Sequence, residues 1–335
     1  MGKLKHTPPE YNTSGGLIMS SRRIILLAIV LALALPLAFH GQVAIQPREK
    51  PVPKGTPTDK PTLRVDTTLV LVPVSVNDPL NRPVSGLEKE NFRVFDDQVE
   101  QTISQFSMDD EPVTVGLVFD TSGSMGAKLS RSRMAAVEFF KTANPEDQFF
   151  LVEFDSAPRL EVPLTSDTGL IANQLIFSRS KGSTALLDAI YLALHEMKKS
   201  KMSKKALLVI SDGGDNNSRY TPNEIQNVVR ESDVLIYAIG VFGGGSTAEE
   251  AGGPGLLAHI AEQTGGRMYE ANPVELPNIA LKIGIDLRNR YVLGFSPRNQ
   301  QRDGRYHKVL VQVVPPRGLP KLRAHWRLGY YAPAD

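Results

Sequence analysis

The chain has 335 residues, 41% hydrophobic and 22% charged, with a formal net charge of +2 and no cysteine. At roughly one domain per 150 residues, this length suggests about two folding units with a sizeable core. The balanced charge, with no basic stripe interleaved with aromatics, gives nucleic acid no footing as a partner, and the missing cysteines exclude disulfides, thiolate nucleophiles and zinc-thiolate sites.

At the N-terminus, Arg22 and Arg23 precede an uncharged apolar run over residues 24–39 (IILLAIVLALALPLAF). A positive segment followed by a short apolar one is the layout of an export signal, and the run is shorter than the ~20 residues a spanning helix needs. No clean small-x-small cleavage site follows it. Residues 1–45 therefore read as a signal peptide or as an uncleaved N-terminal membrane anchor, and either places the rest of the chain outside the cytoplasm. Residues 46–62 (QPREKPVPKGTPTDKPT) repeat Pro among charges and predict an extended, polyproline-like spacer.

Residues 63–108 predict a small β unit. Val70, Val72, Val74 and Val76 recur at every second position, Asn77-Asp78-Pro79 signals a turn, and residues 92–96 (FRVFD) read as another strand. Residues 112–290 change character to nearly continuous apolar strands at 114–120, 148–154, 206–212 and 234–240, separated by helices. Leu186, Leu187, Ile190, Leu194 and Met197 keep helical spacing, as do Leu276, Ile279, Ala280, Ile283 and Leu287. Thr221-Pro222-Asn223-Glu224 opens another helix with a capping box. This alternation predicts an α/β fold, a doubly wound and mostly parallel sheet with sites outside the carboxyl ends of its strands. Residues 242–254 (FGGGSTAEEAGGP) read as a surface connection overlooking that edge. Residues 291–335 return to alternation at Val309, Val311 and Val313, and are expected to pack with the N-terminal β unit.

Two predicted strands end on aspartate, Asp120 and Asp212, so both carboxylates open onto one edge of the sheet. Ser122 and Ser124 follow at alternate positions of a tight, glycine-containing loop, and Thr184 stands just before the helix from Ala185. These are hard oxygen donors of the kind Mg2+ takes at about 2.0–2.1 Å while retaining several waters. Asp215 and Asn216 read as a solvated loop, and His195 and His259 as ordinary helix residues.

Asp120-x-Ser122-x-Ser124, then Thr184, then Asp212 with Gly213 behind it, resembles the metal-ion-dependent adhesion site of von Willebrand factor type A domains. With the flanking VPVSVND, GLEKENFRVFDD, GSTALLDAI, SDGGDN and RLGYY segments, the chain resembles a bacterial family of exported proteins carrying that domain. The resemblance implies a Rossmann-like domain in which Ser122, Ser124 and Thr184 touch Mg2+ or Mn2+, Asp120 and Asp212 bind it directly or through water, and a protein partner supplies Asp or Glu to an open coordination position. It implies a binding module rather than an enzyme.

Two other readings carry different expectations. A metal-dependent phosphohydrolase using Asp120 as nucleophile would need a second carboxylate two positions on, where this chain has Ser122. A structural reading has the metal only tying loops together, with binding through the β unit or a strand edge.

Overall fold

The computed structural model describes residues 69–109, 111–242, 248–272, 274–299 and 302–334, all within the unit Arg64–Asp335. The expected export segment and proline-rich spacer lie outside the described residues. Among the described residues no helix is long and apolar enough to cross a membrane.

The first strands follow from period-two patterning. β1 (Val70–Asn77) turns Val70, Val72, Val74 and Val76 inward, and a bend leads to β2 (Phe92–Asp96), β3 (Val99–Gln101) and β4 (Ile103–Asp109). β5 (Val113–Asp120) is buried along its whole length, as expected of a central strand covered on both faces.

From there strands and helices alternate. α1 (Leu129–Phe140) leads to β6 (Gln148–Phe154), β7 (Pro158–Thr165), α2 (Thr168–Phe177) and α3 (Leu186–Met197). β8 (Lys204–Ser211), α4 (Pro222–Glu231), β9 (Leu235–Val241), α5 (Ala248–Gln263), β10 (Met268–Ala271) and α6 (Leu276–Arg288) complete the unit. The capping box at Thr221 and Glu224 forms as expected, each side chain accepting a hydrogen bond from the other's backbone N–H. β11 (Arg290–Phe295), β12 (Tyr306–Val313), β13 (Arg323–Trp326) and β14 (Gly329–Tyr331) end the described chain.

The six-stranded sheet runs β10-β9-β8-β5-β6-β7, parallel except for β7, which is an antiparallel edge strand. One face buries α1, α2 and α6 against Val115, Leu117 and Phe119; the other buries α3, α4 and α5 against Val118 and Val209. The α/β, doubly wound expectation holds, and so does a β unit drawn from both flanks. That unit is two four-stranded sheets, β13-β1-β11-β4 and β14-β12-β2-β3, sharing a core of Val72, Val74, Val94, Leu293, Phe295 and Val311.

Residues 242–254 differ from the surface connection expected. α5 starts at Ala248 and carries Pro254 inside it, so much of that stretch is helical. The Ala-Glu-Glu-Ala run beginning at Ala248 has high helix propensity, which outweighs the glycines and proline that made the segment read as a loop.

Candidate functional site

The strand order places a switch point between β5 and β8: the chain leaves β5 toward β6 on one side and returns through β8 on the other. Crevices in open α/β sheets form at such points, outside the strands' carboxyl ends. Asp120 closes β5 and Asp212 follows β8, so both carboxylates lie there.

Asp120 is fully buried, and both its oxygens are engaged. The Ser122 N–H donates to Oδ1 at 2.8 Å, and the Ser211 hydroxyl donates to Oδ2 at 2.5 Å. Burial pushes its carboxyl up to about 7, with the neighbouring Asp212 carboxylate adding to the rise, while the Ser122 and Ser211 hydrogen bonds pull the other way. The Ser122 and Ser124 hydroxyls lie 3.1 Å apart.

Asp212 is also fully buried. Its Oδ2 accepts from the Lys128 ammonium at 3.0 Å, whereas Oδ1 has no hydrogen-bond partner. A buried carboxylate oxygen left bare is uncommon, because its desolvation goes uncompensated. Lys128 is itself almost wholly buried and precedes the first turn of α1. A cation at a helix N-terminus opposes the helix dipole, so its place there is explained by Asp212.

Backbone bonds tie three loops around this point. The Lys181 N–H donates to Thr121 O at 2.9 Å and the Gly123 N–H to Gly182 O at 3.0 Å, joining the Ser122 loop to the Thr184 loop. Thr184 is buried; its N–H donates to Asn216 Oδ1 at 2.9 Å, and its carbonyl accepts from the Asn216 and Asn217 N–H groups. Ser180 donates to Ser122 O from the same side. Gly213 has φ +78°, and a Cβ there would lie 2.7 Å from the backbone of Gly253, so α5 packs directly on the Asp212 turn.

Of the five residues singled out in the sequence, Asp120, Ser122 and Ser124 are joined directly and the Asp212 carboxylate acts on Asp120 from the adjoining strand end, whereas Thr184 bonds to Asn216 and Asn217 and its loop meets the Ser122 loop through Lys181 and Gly182. Asp215 and Asn216 lie in a loop as expected, Asn216 exposed and Asp215 half-buried, but their side chains are engaged. Asp215 Oδ2 accepts from the Leu187 N–H at 2.9 Å and from the Ser218 hydroxyl at 2.7 Å, pinning the start of α3. Their carboxylate and amide meet orphan N–H groups at a helix start, a role invisible in the linear order. Ser211 and Lys128 were missed as well; a lysine beside a helix start was the available signal for the second. The oxygen cluster, with one bare carboxylate oxygen, has the donor chemistry for a hard divalent cation.

Residues 115–214 match the family model of the von Willebrand factor type A domain, a span that includes all five residues. Inter alpha-trypsin inhibitor heavy chain 4 of Mus musculus is 30% identical over 169 residues, 46% of this chain and 18% of that protein. An uncharacterized Borreliella burgdorferi protein is 27% identical over 183 residues, 47% of this chain and 53% of its own. The chain thus spans about half the length of one curated relative and under a fifth of the other. Among solved structures, the mussel byssus proximal thread matrix protein 1 aligns with TM-score 0.48 and 19% identity over 58% of this chain and 51% of that one. A von Willebrand factor type A protein from Catenulispora acidiphila aligns with TM-score 0.47 and 13% identity, covering 70% and 74%.

Proposed function

The chain contains a von Willebrand factor type A domain, and on that premise we propose that it is an exported, metal-dependent protein-binding module, not an enzyme. Asp120, Ser122, Ser124, Thr184 and Asp212 would hold Mg2+ or Mn2+. The observation that carries this reading is the bare, buried Oδ1 of Asp212, whose carboxylate acts on that of Asp120, the residue from which the Ser122 and Ser124 hydroxyls follow. Bound there, the cation supplies an electrophilic position for an Asp or Glu side chain of a protein partner.

The purely structural reading is weaker. The three loops are already joined by their own hydrogen bonds, Lys181 to Thr121, Gly123 to Gly182 and Asn216 to Thr184, so a metal is not needed to order them. The hydrolytic reading is weaker too, since Asp120 has no exposed surface and the position two residues on, where such a nucleophile would need a second carboxylate, is Ser122.

The test is calorimetric titration of the metal-free protein with Mg2+, followed by affinity capture of partners with and without EDTA. Wild type should bind one Mg2+ and lose its partner in EDTA; Asp120→Ala should bind neither. Equal Mg2+ binding by Asp120→Ala, or capture that survives both EDTA and Thr184→Ala, refutes the proposal.

A further inference from the structure

We propose that Asp96, Asp97 and His307 form a second cation site, in the β unit, selective for a borderline divalent ion such as Zn2+ over Mg2+. It is separate from the Asp120 cluster in residues and in location, and does not rest on the function proposed above.

β2 and β12 pair antiparallel, with Asp96 opposite Val309, which brings His307 beside the turn leaving β2. Asp97 and Gln98 form that two-residue turn in the left-handed region, φ 44° and 70°. Asp is among the residues favoured at the first position of such a turn, whereas Gln98 stands at the second, where Gly is usual.

Each carboxylate has one anchored oxygen and one turned toward the imidazole. Asp97 Oδ1 accepts from the Lys308 N–H at 2.9 Å, leaving Oδ2 at 3.0 Å from His307 Nδ1. Asp96 Oδ2 accepts from the Tyr330 hydroxyl at 3.0 Å, and Oδ1 lies 3.5 Å from the same Nδ1. Asp96 is only 4% exposed, and that Oδ1 has no hydrogen-bond partner. A nine-tenths buried carboxylate oxygen aimed bare at two further donors is the second sign of a ligand, beyond the clustering itself.

The spacing fits one ion. Donors about 2.0–2.2 Å from a tetrahedral Zn2+ sit roughly 3.3–3.6 Å apart. The three ligand atoms lie within 4.8 Å of one another, with 3.0 and 3.5 Å separations from Nδ1. The surroundings are those of a held imidazole. Nε2 faces Asp303 Oδ1 at 3.7 Å, and the Tyr330 ring stacks on His307 with centroids 5.4 Å apart. A ligating histidine commonly turns its other nitrogen to a carboxylate, which fixes its tautomer. Asp97, about half exposed, leaves an entry path from solvent. A nitrogen donor among carboxylates favours zinc-type ions over Mg2+.

The test is Zn2+ titration of the EDTA-stripped full chain by calorimetry, with metal count by native mass spectrometry, in wild type, Asp97→Asn, His307→Gln and Asp120→Ala. Asn tolerates the left-handed turn, so Asp97→Asn keeps the fold even where His307→Gln does not. Losing a residue that merely supports a metal ligand costs about 10–100-fold in affinity, and losing a ligand should cost no less. The expected result is one Zn2+ retained by Asp120→Ala with wild-type affinity at this site, weakened at least about tenfold in Asp97→Asn. Excess Mg2+ should leave it unchanged. The proposal is overturned if Asp97→Asn binds Zn2+ as wild type does, if Asp120→Ala alone abolishes binding, or if no Zn2+ binds and His307 simply pairs with the aspartates as an imidazolium.

Discussion

Replacing Lys128 by Met keeps the aliphatic stem and removes only the ammonium that pairs with Asp212 at 3.0 Å. Lys128 and Asp212 side chains are 8% and 1% exposed, so the pair is screened little by water. Asp212 already has one bare oxygen, and the substitution leaves its carboxylate buried with no cation on either atom. Removing one partner of a buried pair destabilises by about 3–5 kcal/mol. At about 2–4 °C per kcal/mol for a unit of this size, the metal-free protein should melt roughly 6–20 °C lower. Mg2+ should then stabilise the variant more than wild type, because the bound ion replaces the lost charge and faces no ammonium already on Asp212. The assay is a melting series in EDTA and in rising Mg2+ for both proteins. A variant as stable as wild type in EDTA, or one whose Mg2+-dependent gain is smaller than wild type's, would refute the reasoning.

Three further outcomes are expected. Asp286 is buried and gathers the Tyr237 hydroxyl, Asn77 Nδ2 at 3.3 Å and Arg267 at 3.8 Å, next to the buried Arg290; Asp286→Ala strands these groups and should cost about 3–5 kcal/mol in urea denaturation. Gly213→Ala places a Cβ 2.7 Å from the Gly253 backbone at φ +78°, so it should cost about 1–3 kcal/mol and weaken Mg2+ binding in the same calorimetric assay. Burial, with the Arg267 charge adding to it, holds the His325 imidazole down at about 4 against its ordinary 6.5, so the unfolded chain takes up this proton before the folded one does. Its contribution is complete above pH 6.5 and is lost as pH falls from 6.5 toward 4. His325→Gln should flatten the fall in melting temperature across that window, and an unchanged slope would refute the assignment.

Much of the architecture was readable because it is local. Valines at every second position placed β1, and uninterrupted apolar runs placed the central strands. The positions of Asp120 and Asp212 were readable for the same reason: an apolar strand that ends on aspartate delivers its carboxylate to a known edge. Other features follow from contacts too distant for periodicity to report. β7 reads PRLEVPLT, with two prolines weakening its strand signal, and is held as an edge by pairing with β6. Arg290 looks like a surface charge, yet it is buried through hydrogen bonds to Tyr237, Pro73 O and Gly265 O. His307 meets Asp96 and Asp97 only because β12 pairs with β2 across some 200 residues of chain.

Charge balance is the part of the Asp120 site that the donor pattern leaves open. Five oxygen-bearing residues describe what a cation would touch, but how strongly one is held depends on what else neutralises the carboxylates. Here the two aspartates are answered differently. Asp120 receives a hydroxyl and an N–H, and burial raises its carboxyl to about 7; Asp212 receives an ammonium on one oxygen and nothing on the other. If the site holds a cation as proposed, Lys128 sets how much negative charge that ion would meet. A motif with Lys128 replaced by a neutral residue would present the same ligands with one more unit of uncompensated charge. On the proposed metal-binding reading, two chains with identical Asp-x-Ser-x-Ser, Thr and Asp positions would differ in affinity according to whether a cation stands where Lys128 meets Asp212.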